Sequence, residues 1–180
     1  TLGEGSSNQG DFHEGLNFAG VHKLPVITMV ENNGYAISVP LEKQLACESV
    51  ADRGIGYGMP GISVDGHDPL AVYEVIKQAR DRALSGEGPT LIEALTTRFT
   101  AHSSDDDDRQ YRDMEELEKA KQHDPIVTFA NYLKDTGVLT EEELNKIESE
   151  INDEVNKATD YAENAPFAEP EHALKYVYEE

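Results

Sequence analysis

Two short motifs near the start of the sequence combine metal-binding oxygens with glycines. Gly3-Glu4-Gly5 places a carboxylate between two glycines, and Asn32-Asn33 offers amide oxygens. Carboxylate and carbonyl oxygens, completed by water and phosphate oxygens, are the ligands that Mg²⁺ takes. A glycine backbone also lets a phosphate group approach closely. We therefore predict that Glu4, Asn33 and a main-chain carbonyl just past Asn33 bind magnesium beside a diphosphate.

Strands and helices alternate over the first part of the chain. The apolar run Pro25–Val30 predicts a buried strand, and Gly61–Asp65 and Thr90–Leu95 predict two more. Helices are predicted over Asp11–His22 and from Pro69 to about Ser85. This alternation predicts an α/β fold with a parallel sheet flanked by helices. Ligands of such folds bind beyond the carboxyl ends of strands, which is where both motifs fall.

The second part of the chain is predicted to be a polar loop, Thr100 to Tyr111, followed by helices only. Asp124-Pro125 is a helix start, and Thr140-Glu141-Glu142-Glu143 has the spacing of a capping box. Pro166–Glu180 is predicted to be a short helix or a tail. The helix after the capping box carries an apolar stripe, typical of packing against the sheet or a partner subunit: Leu144, Ile147, Ile151, Val155, Ala158 and Ala162.

The amino-acid composition excludes several classes of partner and of structure. The net charge of −21 repels nucleic acid and anionic membranes. A single cysteine, Cys47, rules out an internal disulfide, and without a membrane span or signal peptide we expect a cytoplasmic protein. One domain is expected over residues 1–180, with an α/β part over 1–99, a loop over 100–112 and a helical part over 113–180. Because the sequence opens on a strand end, we expect a fragment truncated at the amino end.

The two motifs, with residues 6–31 between them, resemble the thiamine-diphosphate fingerprint, in which Glu4 replaces the more usual aspartate. The runs Gly10–Ala19 and Asn32–Ser38 are similar to alpha subunits of pyruvate and branched-chain 2-oxoacid dehydrogenases, and Ala101–Asp106 with Tyr111-Arg112 looks like their active-site loop. Gly56–Gly61 and Ser103–Asp108 look more like the bacterial branched-chain (2-oxoisovalerate) enzymes.

The resemblance implies a thiamine-diphosphate-binding fold of the pyrophosphate type and roles for individual residues. Glu4, Asn33 and the carbonyl of Tyr35 would bind Mg²⁺. His102 would bind the diphosphate and place a proton near the reacting carbon, since histidine side chains are common general acids and bases. The residues that would contact the cofactor are Gly3, Glu4, Gly5, Ser6, Asn33, Tyr35, Ile37 and His102. Ser103 stands where related mitochondrial subunits are phosphorylated, so it is a candidate regulatory site.

The implied activity is oxidative decarboxylation of branched-chain 2-oxoacids, with acyl transfer to a lipoyl group. The implied partners are a beta subunit, in an alpha2-beta2 tetramer, and the lipoyl acyltransferase core. A pyruvate or acetoin dehydrogenase alpha subunit is an alternative within the class. An inactive assembly module that binds no cofactor is a second alternative, because the acidic helices suit docking onto a basic surface. A simple nucleotide-binding domain is a third, weaker alternative. The sequence contains neither a Gly-x-x-x-x-Gly-Lys-Ser/Thr loop nor a Gly-x-Gly-x-x-Gly motif that opens a strand-helix unit.

Overall fold

A computed structural model of the chain describes residues 1–175. Its strands are β1 Leu2–Gly3, β2 Ile27–Asn32, β3 Tyr35–Ala36, β4 Val39–Pro40, β5 Gly61–Asp65 and β6 Thr90–Leu95. Its helices are α1 Gly10–Val21, α2 Arg53–Gly56, α3 Pro69–Leu84, α4 Met114–Lys121, α5 Pro125–Asp135 and α6 Glu141–Asn164. Short 3-10 turns lie at Ser6–Asn8, Leu41–Lys43, Asp108–Gln110 and Pro170–Leu174.

Four parallel strands form the main sheet in the order β1-β2-β6-β5. Gly3 pairs with Glu31, while Asn32 and Asp65 both pair with Leu95. The carboxyl ends of all four strands therefore meet at one edge of the sheet. The α/β fold with a parallel sheet flanked by helices, predicted from the alternation of patterns, is confirmed.

Strand β6 lies between two apolar clusters, because its successive side chains point to opposite faces of the sheet. On one face Leu91 packs with Leu16 of α1 and with Val30. On the other face Ile92 packs with Val64 and with Ala79 of α3. Burial on both faces explains why most side chains of β6 are apolar.

The predicted helix starts are made by side-chain hydrogen bonds. Asp68 Oδ1 accepts from the main-chain N–H groups of Leu70 and Ala71 at 2.9 and 3.1 Å. Thr140 and Glu143 bond reciprocally, each side chain accepting from the other's main-chain N–H. These bonds satisfy donors that helix ends leave free. The predicted capping box at Thr140 is confirmed.

Several features differ from the sequence prediction. The hairpin of β3 and β4 and helix α2 were not predicted, because strands of two residues and a helix of four give no periodic pattern. The apolar stripe of α6 is exposed, with Ile147 at 44%, Ile151 at 55% and Val155 at 57%. Packing of this stripe against the sheet or against a partner subunit stays a prediction.

The chain divides into two compact units, Thr1–Phe129 and Ala130–Glu180. The first contains the whole sheet, and the second contains α6. Within the predicted tail, Pro170–Leu174 is a 3-10 turn, and residues 176–180 lie outside the described residues. None of the helices in the described part of the chain has the length and apolar content that a membrane crossing requires.

Candidate functional site

A cavity of about 480 Å³ opens at the carboxyl edge of the sheet, beside the ends of β1 and β2. The stretch from Gly3 to Ser6 lines one part of it, and Asn33, Tyr35 and Ile37 line another. His102, from the polar loop, completes the predicted set. The structure therefore brings together every residue that the sequence nominated for the site, and it adds three that were not nominated: Gln9, Ala36 and Arg98.

Glu4 is the one acidic residue among the described residues that line this cavity, and it is only 1% exposed. Its Oε2 accepts a hydrogen bond from the main-chain N–H of Asn33 at 3.3 Å. Its Oε1 is buried and has no hydrogen-bond partner among the described residues. A buried carboxylate oxygen left in this way costs free energy unless a cation or a donor meets it. The Glu4 side chain is therefore chemically suited to bind a cation in the cavity.

The two asparagines at the end of β2 have different surroundings. Asn32 is buried, donates from Nδ2 to Glu93 at 2.7 Å, and accepts at Oδ1 from the N–H of Gly34 at 2.9 Å. Asn33 lines the cavity, and its Oδ1 accepts from the N–H of Tyr35 at 3.2 Å. An amide oxygen has two lone pairs, so Oδ1 of Asn33 keeps one for a ligand. Gly34 has a φ of +82°, which only glycine adopts easily.

The donor set fits a hard cation. One carboxylate oxygen, one amide oxygen and main-chain carbonyls are oxygen ligands of the kind that Mg²⁺ and Ca²⁺ take. No group of three or more histidine, cysteine, aspartate or glutamate side chains able to hold a metal occurs among residues 1–175. The described residues therefore offer no closed site of the structural zinc type.

The hairpin of β3 and β4 packs directly on the glycine motif. A Cβ placed on Gly5 would lie 2.6 Å from the Cβ of Ala36, so only glycine permits this approach. Ile37, at the tip of the hairpin, has a φ of +58°. Such a conformation is strained for a β-branched residue, and Arg98 Nη2 supports it by donating to the Ile37 carbonyl at 2.9 Å. The hairpin is thereby held as part of the cavity wall.

Asp106 organises the loop that carries His102. Its Oδ2 accepts from the hydroxyl of Tyr111 at 2.5 Å and from the main-chain N–H of His102 at 2.9 Å. The Tyr111 hydrogen bond, followed by that of His102, lowers the pKa of the Asp106 carboxyl. Desolvation, followed by the hydrogen bond to Asp106, raises the pKa of Tyr111. Arg98 Nη2 donates to the Tyr111 hydroxyl oxygen at 3.0 Å, which connects the loop to the hairpin.

Besides Arg98, two further charged residues hold this region together and were not predicted from the sequence. Arg53 donates to the carbonyl and the hydroxyl of Ser7 at 2.7 and 2.9 Å, and to Oδ1 of Asn8 at 2.6 Å. Glu93 is fully buried within β6. A charged residue inside an otherwise apolar strand was the available signal for Glu93, whereas no pattern in the sequence indicated Arg53.

Comparison with known proteins gives a family match over nearly the whole chain. The family model described as "Dehydrogenase E1 component" matches residues 1–171. The chain is 64% identical over 178 residues to the 2-oxoisovalerate dehydrogenase subunit alpha of Bacillus subtilis, covering 99% of this chain and 54% of that protein. It is 44% identical to the pyruvate dehydrogenase E1 component subunit alpha of the same organism, covering 98% of this chain and 48% of that protein.

A third relative is the pyruvate dehydrogenase E1 component subunit alpha of Staphylococcus aureus strain COL, which is 42% identical over 99% of this chain and 48% of that protein. The chain thus spans about half the length of the curated relatives it matches. The higher identity to the 2-oxoisovalerate subunit confirms the resemblance inferred from the motifs.

Proposed function

The chain belongs to the dehydrogenase E1 component family, and from this premise we propose that it forms the magnesium- and diphosphate-binding part of an alpha subunit. The reaction would be the oxidative decarboxylation of a branched-chain 2-oxoacid, with the acyl group passed to a lipoyl group. The proposal depends above all on Glu4, whose buried Oε1 has no hydrogen-bond partner among the described residues and which lines the same cavity as the other residues nominated for cofactor binding.

The residues present fit thiamine diphosphate and magnesium. Glu4, Asn33 and the main-chain carbonyl of Tyr35 would hold the metal, and Gly3, Gly5, Ser6 and Ile37 would line the cofactor. When bound, the cofactor would supply the carbon nucleophile for the ketone and the ring that takes up the electron pair released with carbon dioxide. The protein would hold the cofactor and the cation in position. The bound cation would offset the repulsion between the diphosphate and a chain of net charge −21.

His102 is proposed to bind the diphosphate and to hold a proton near the reacting carbon. Its side chain lines the cavity, while its main-chain N–H is fixed by Asp106 at 2.9 Å. Fixing the backbone at this point limits where the imidazole can reach, and such preorganisation reduces the cost of forming the reactive arrangement. Ser103 follows directly, so modification there would act on the same loop.

A branched-chain 2-oxoacid is favoured as the substrate because the identity is 64% to the 2-oxoisovalerate subunit and 44% to a pyruvate subunit. Pyruvate and acetoin dehydrogenase alpha subunits remain the alternative substrate classes. The proposed partners are a beta subunit, in an alpha2-beta2 tetramer, and a lipoyl acyltransferase core, and the proposed location is the cytoplasm. Comparing the decarboxylation rates of 2-oxoisovalerate and pyruvate by the reconstituted tetramer decides between the substrates.

Calorimetry with thiamine diphosphate and Mg²⁺ tests whether the site binds cofactor at all. Titrations of the full-length protein, alone and with its beta subunit, give three outcomes. Binding that requires the beta subunit supports the proposed shared site, and binding without it argues against sharing. Failure to bind in either case supports an inactive assembly module, for which the exposed stripe of α6 supplies an apolar surface.

A further inference from the structure

Glu93 is a fully buried carboxylate whose hydrogen-bond partners are all neutral donors. Its Oε1 accepts from Asn32 Nδ2 at 2.7 Å and from the main-chain N–H of Val50 at 3.1 Å. Its Oε2 accepts from the hydroxyl of Ser63 at 2.8 Å and from the N–H of Ala51 at 3.3 Å. These partners come from β2, from the segment before α2 and from β5. One side chain therefore joins three parts of the chain inside the sheet.

The first connection sets the turn that carries Asn33. Because the carboxylate of Glu93 accepts, Asn32 must present its NH₂ group to it. The oxygen of the same amide is then directed to the N–H of Gly34, at 2.9 Å, which closes the turn around Asn33. That turn brings the N–H of Asn33 within 3.3 Å of Glu4 Oε2. The orientation of the Asn32 amide thus connects Glu93 to Asn33 and Glu4, the two side chains nominated as metal ligands.

The second connection reaches the other motif through Arg53. Glu93 holds the main chain at Val50 and Ala51, and Arg53 lies two residues beyond Ala51. Arg53 donates to the Ser7 carbonyl at 2.7 Å, and the Ser7 hydroxyl donates to the Glu4 carbonyl at 2.5 Å. The loop after β1 is therefore braced by the same buried segment that Glu93 fixes.

We propose that Glu93 is a positioning residue for the metal site, acting through Asn32 and the Val50–Arg53 segment without touching metal or cofactor. This inference rests on the proposed function. Groups that orient metal ligands in this way typically change metal affinity by about 10- to 100-fold when they are altered. In the contact between the two side chains, Asn32 donates and Glu93 accepts. Substitution can exchange these two roles, and the proposal can be tested in this way.

The test measures the Mn²⁺ dissociation constant, with thiamine diphosphate present, by electron paramagnetic resonance on the assembled enzyme. Asn32→Asp sets two carboxylates against each other and should weaken Mn²⁺ binding by about 10- to 100-fold. Adding Glu93→Gln to Asn32→Asp restores a donor and an acceptor to the pair, so the double variant should recover about tenfold or more of that loss. Glu93→Gln alone keeps an acceptor for Asn32 and should weaken binding less than Asn32→Asp does.

Ile92→Val is the matched control, because it removes one methyl group from the neighbouring buried residue of β6 without touching the network. It should lower the thermal unfolding midpoint while leaving Mn²⁺ affinity within about twofold of wild type. If Asn32→Asp does not fold, Glu93→Asp provides the second measurement, since its shorter side chain cannot reach all four donors and should also weaken Mn²⁺ binding.

Wild-type Mn²⁺ affinity in Asn32→Asp, or in Glu93→Asp where the former does not fold, would overturn the inference. A folded double variant that recovers nothing over Asn32→Asp would overturn it too. In both cases the wild-type enzyme still binds Mn²⁺, so the proposed function stands. If the wild-type enzyme fails to bind Mn²⁺ and thiamine diphosphate, the proposed function is overturned and the inference with it.

Discussion

The main-chain N–H of Asn33 donates to Oε2 of Glu4 at 3.3 Å, across the tips of two neighbouring parallel strands. The partner oxygen, Oε1, is buried and has no hydrogen bond among the described residues. One oxygen of the carboxylate thus joins the two motifs, and the other is left without a partner in a residue that lines the cavity. This relationship makes specific predictions about metal binding and stability.

Glu4→Gln should abolish tight Mg²⁺ binding and, in metal-free protein, leave the fold as stable as wild type or more stable. The amide keeps an acceptor for Asn33 and removes an unpaired buried charge, an effect of about 1–3 kcal/mol. Thermal unfolding in chelator and then in excess Mg²⁺ with thiamine diphosphate separates the two effects. If Mg²⁺ and cofactor raised the unfolding midpoint of Glu4→Gln as much as that of the wild type, the proposed role of Glu4 in binding metal would be contradicted.

Gly5→Ala should destabilise the protein by about 1–3 kcal/mol and weaken cofactor binding, because its Cβ would lie 2.6 Å from that of Ala36. Gly15→Ala is the control, since Gly15 lies in α1 with nothing within 4 Å of an added Cβ. Alanine there should stabilise the helix by about 0.5–1 kcal/mol. Denaturant unfolding measures both changes, and equal stability of the two variants would argue against the close packing of the hairpin.

His102→Ala should lower turnover and weaken cofactor affinity, while leaving the unfolding free energy within about 0.5 kcal/mol of wild type, because the side chain is exposed. His102→Asn is the companion variant, because it keeps a hydrogen-bonding group but cannot carry the proton. It should retain more cofactor affinity than His102→Ala and lose comparable turnover. Unchanged turnover and affinity in His102→Ala would contradict the proposed role.

The loop around His102 should keep its folded conformation from about pH 4 to about pH 10. The lowered pKa of Asp106 stabilises the folded loop above the ordinary aspartate value of about 3.9, and this contribution is lost as pH falls through the lowered pKa. The raised pKa of Tyr111 stabilises the loop below the ordinary tyrosine value of about 10, and that contribution is lost as pH rises through the raised pKa.

Tyr111→Phe tests the predicted behaviour of the loop at low pH, because it removes the hydrogen bond that contributes most to the lowered pKa of Asp106. Carboxyl ¹³C NMR should show the pKa of Asp106 moving up toward its ordinary value. Limited proteolysis at pH 7 should cut residues 100–112 faster in the variant. An unchanged Asp106 titration would show that the hydroxyl does not hold the loop.

Ser103→Glu should reduce activity by disordering the same loop, because its charge would add to those of Asp105 to Asp108. Ser103→Asn, which is polar and neutral, should keep most of the wild-type activity. Full activity in Ser103→Glu would remove Ser103 as a candidate regulatory site. Faster proteolysis of residues 100–112 in Ser103→Glu alone would support the electrostatic mechanism.

Much of the fold could be predicted because its signals are local. The strands Gly61–Asp65 and Thr90–Leu95 were predicted with the bounds that the structure shows, since each contains β-branched residues and begins directly after a proline. The caps at Asp68 and Thr140 were predictable because they depend on side chains within three residues of the helix start. The cavity lining was predictable because parallel strands end at one edge of a sheet.

The parts that could not be predicted depend on contacts between residues distant in sequence. Glu93 bonds to Val50 across 43 positions, and Arg53 bonds to Ser7 across 46. No periodic pattern reports such pairs. The surface that covers the apolar stripe of α6 could not be predicted for a related reason, because periodicity identifies the apolar face of a helix and not what covers it.

The most direct measurement is anomalous diffraction from crystals of the assembled enzyme grown with Mn²⁺ and thiamine diphosphate. We predict a manganese peak in the cavity at the tips of β1 and β2, within about 2.0–2.3 Å of Oε1 of Glu4, Oδ1 of Asn33 and the carbonyl oxygen of Tyr35. A manganese peak held by other residues, or bound diphosphate with no metal beside Glu4, would contradict it.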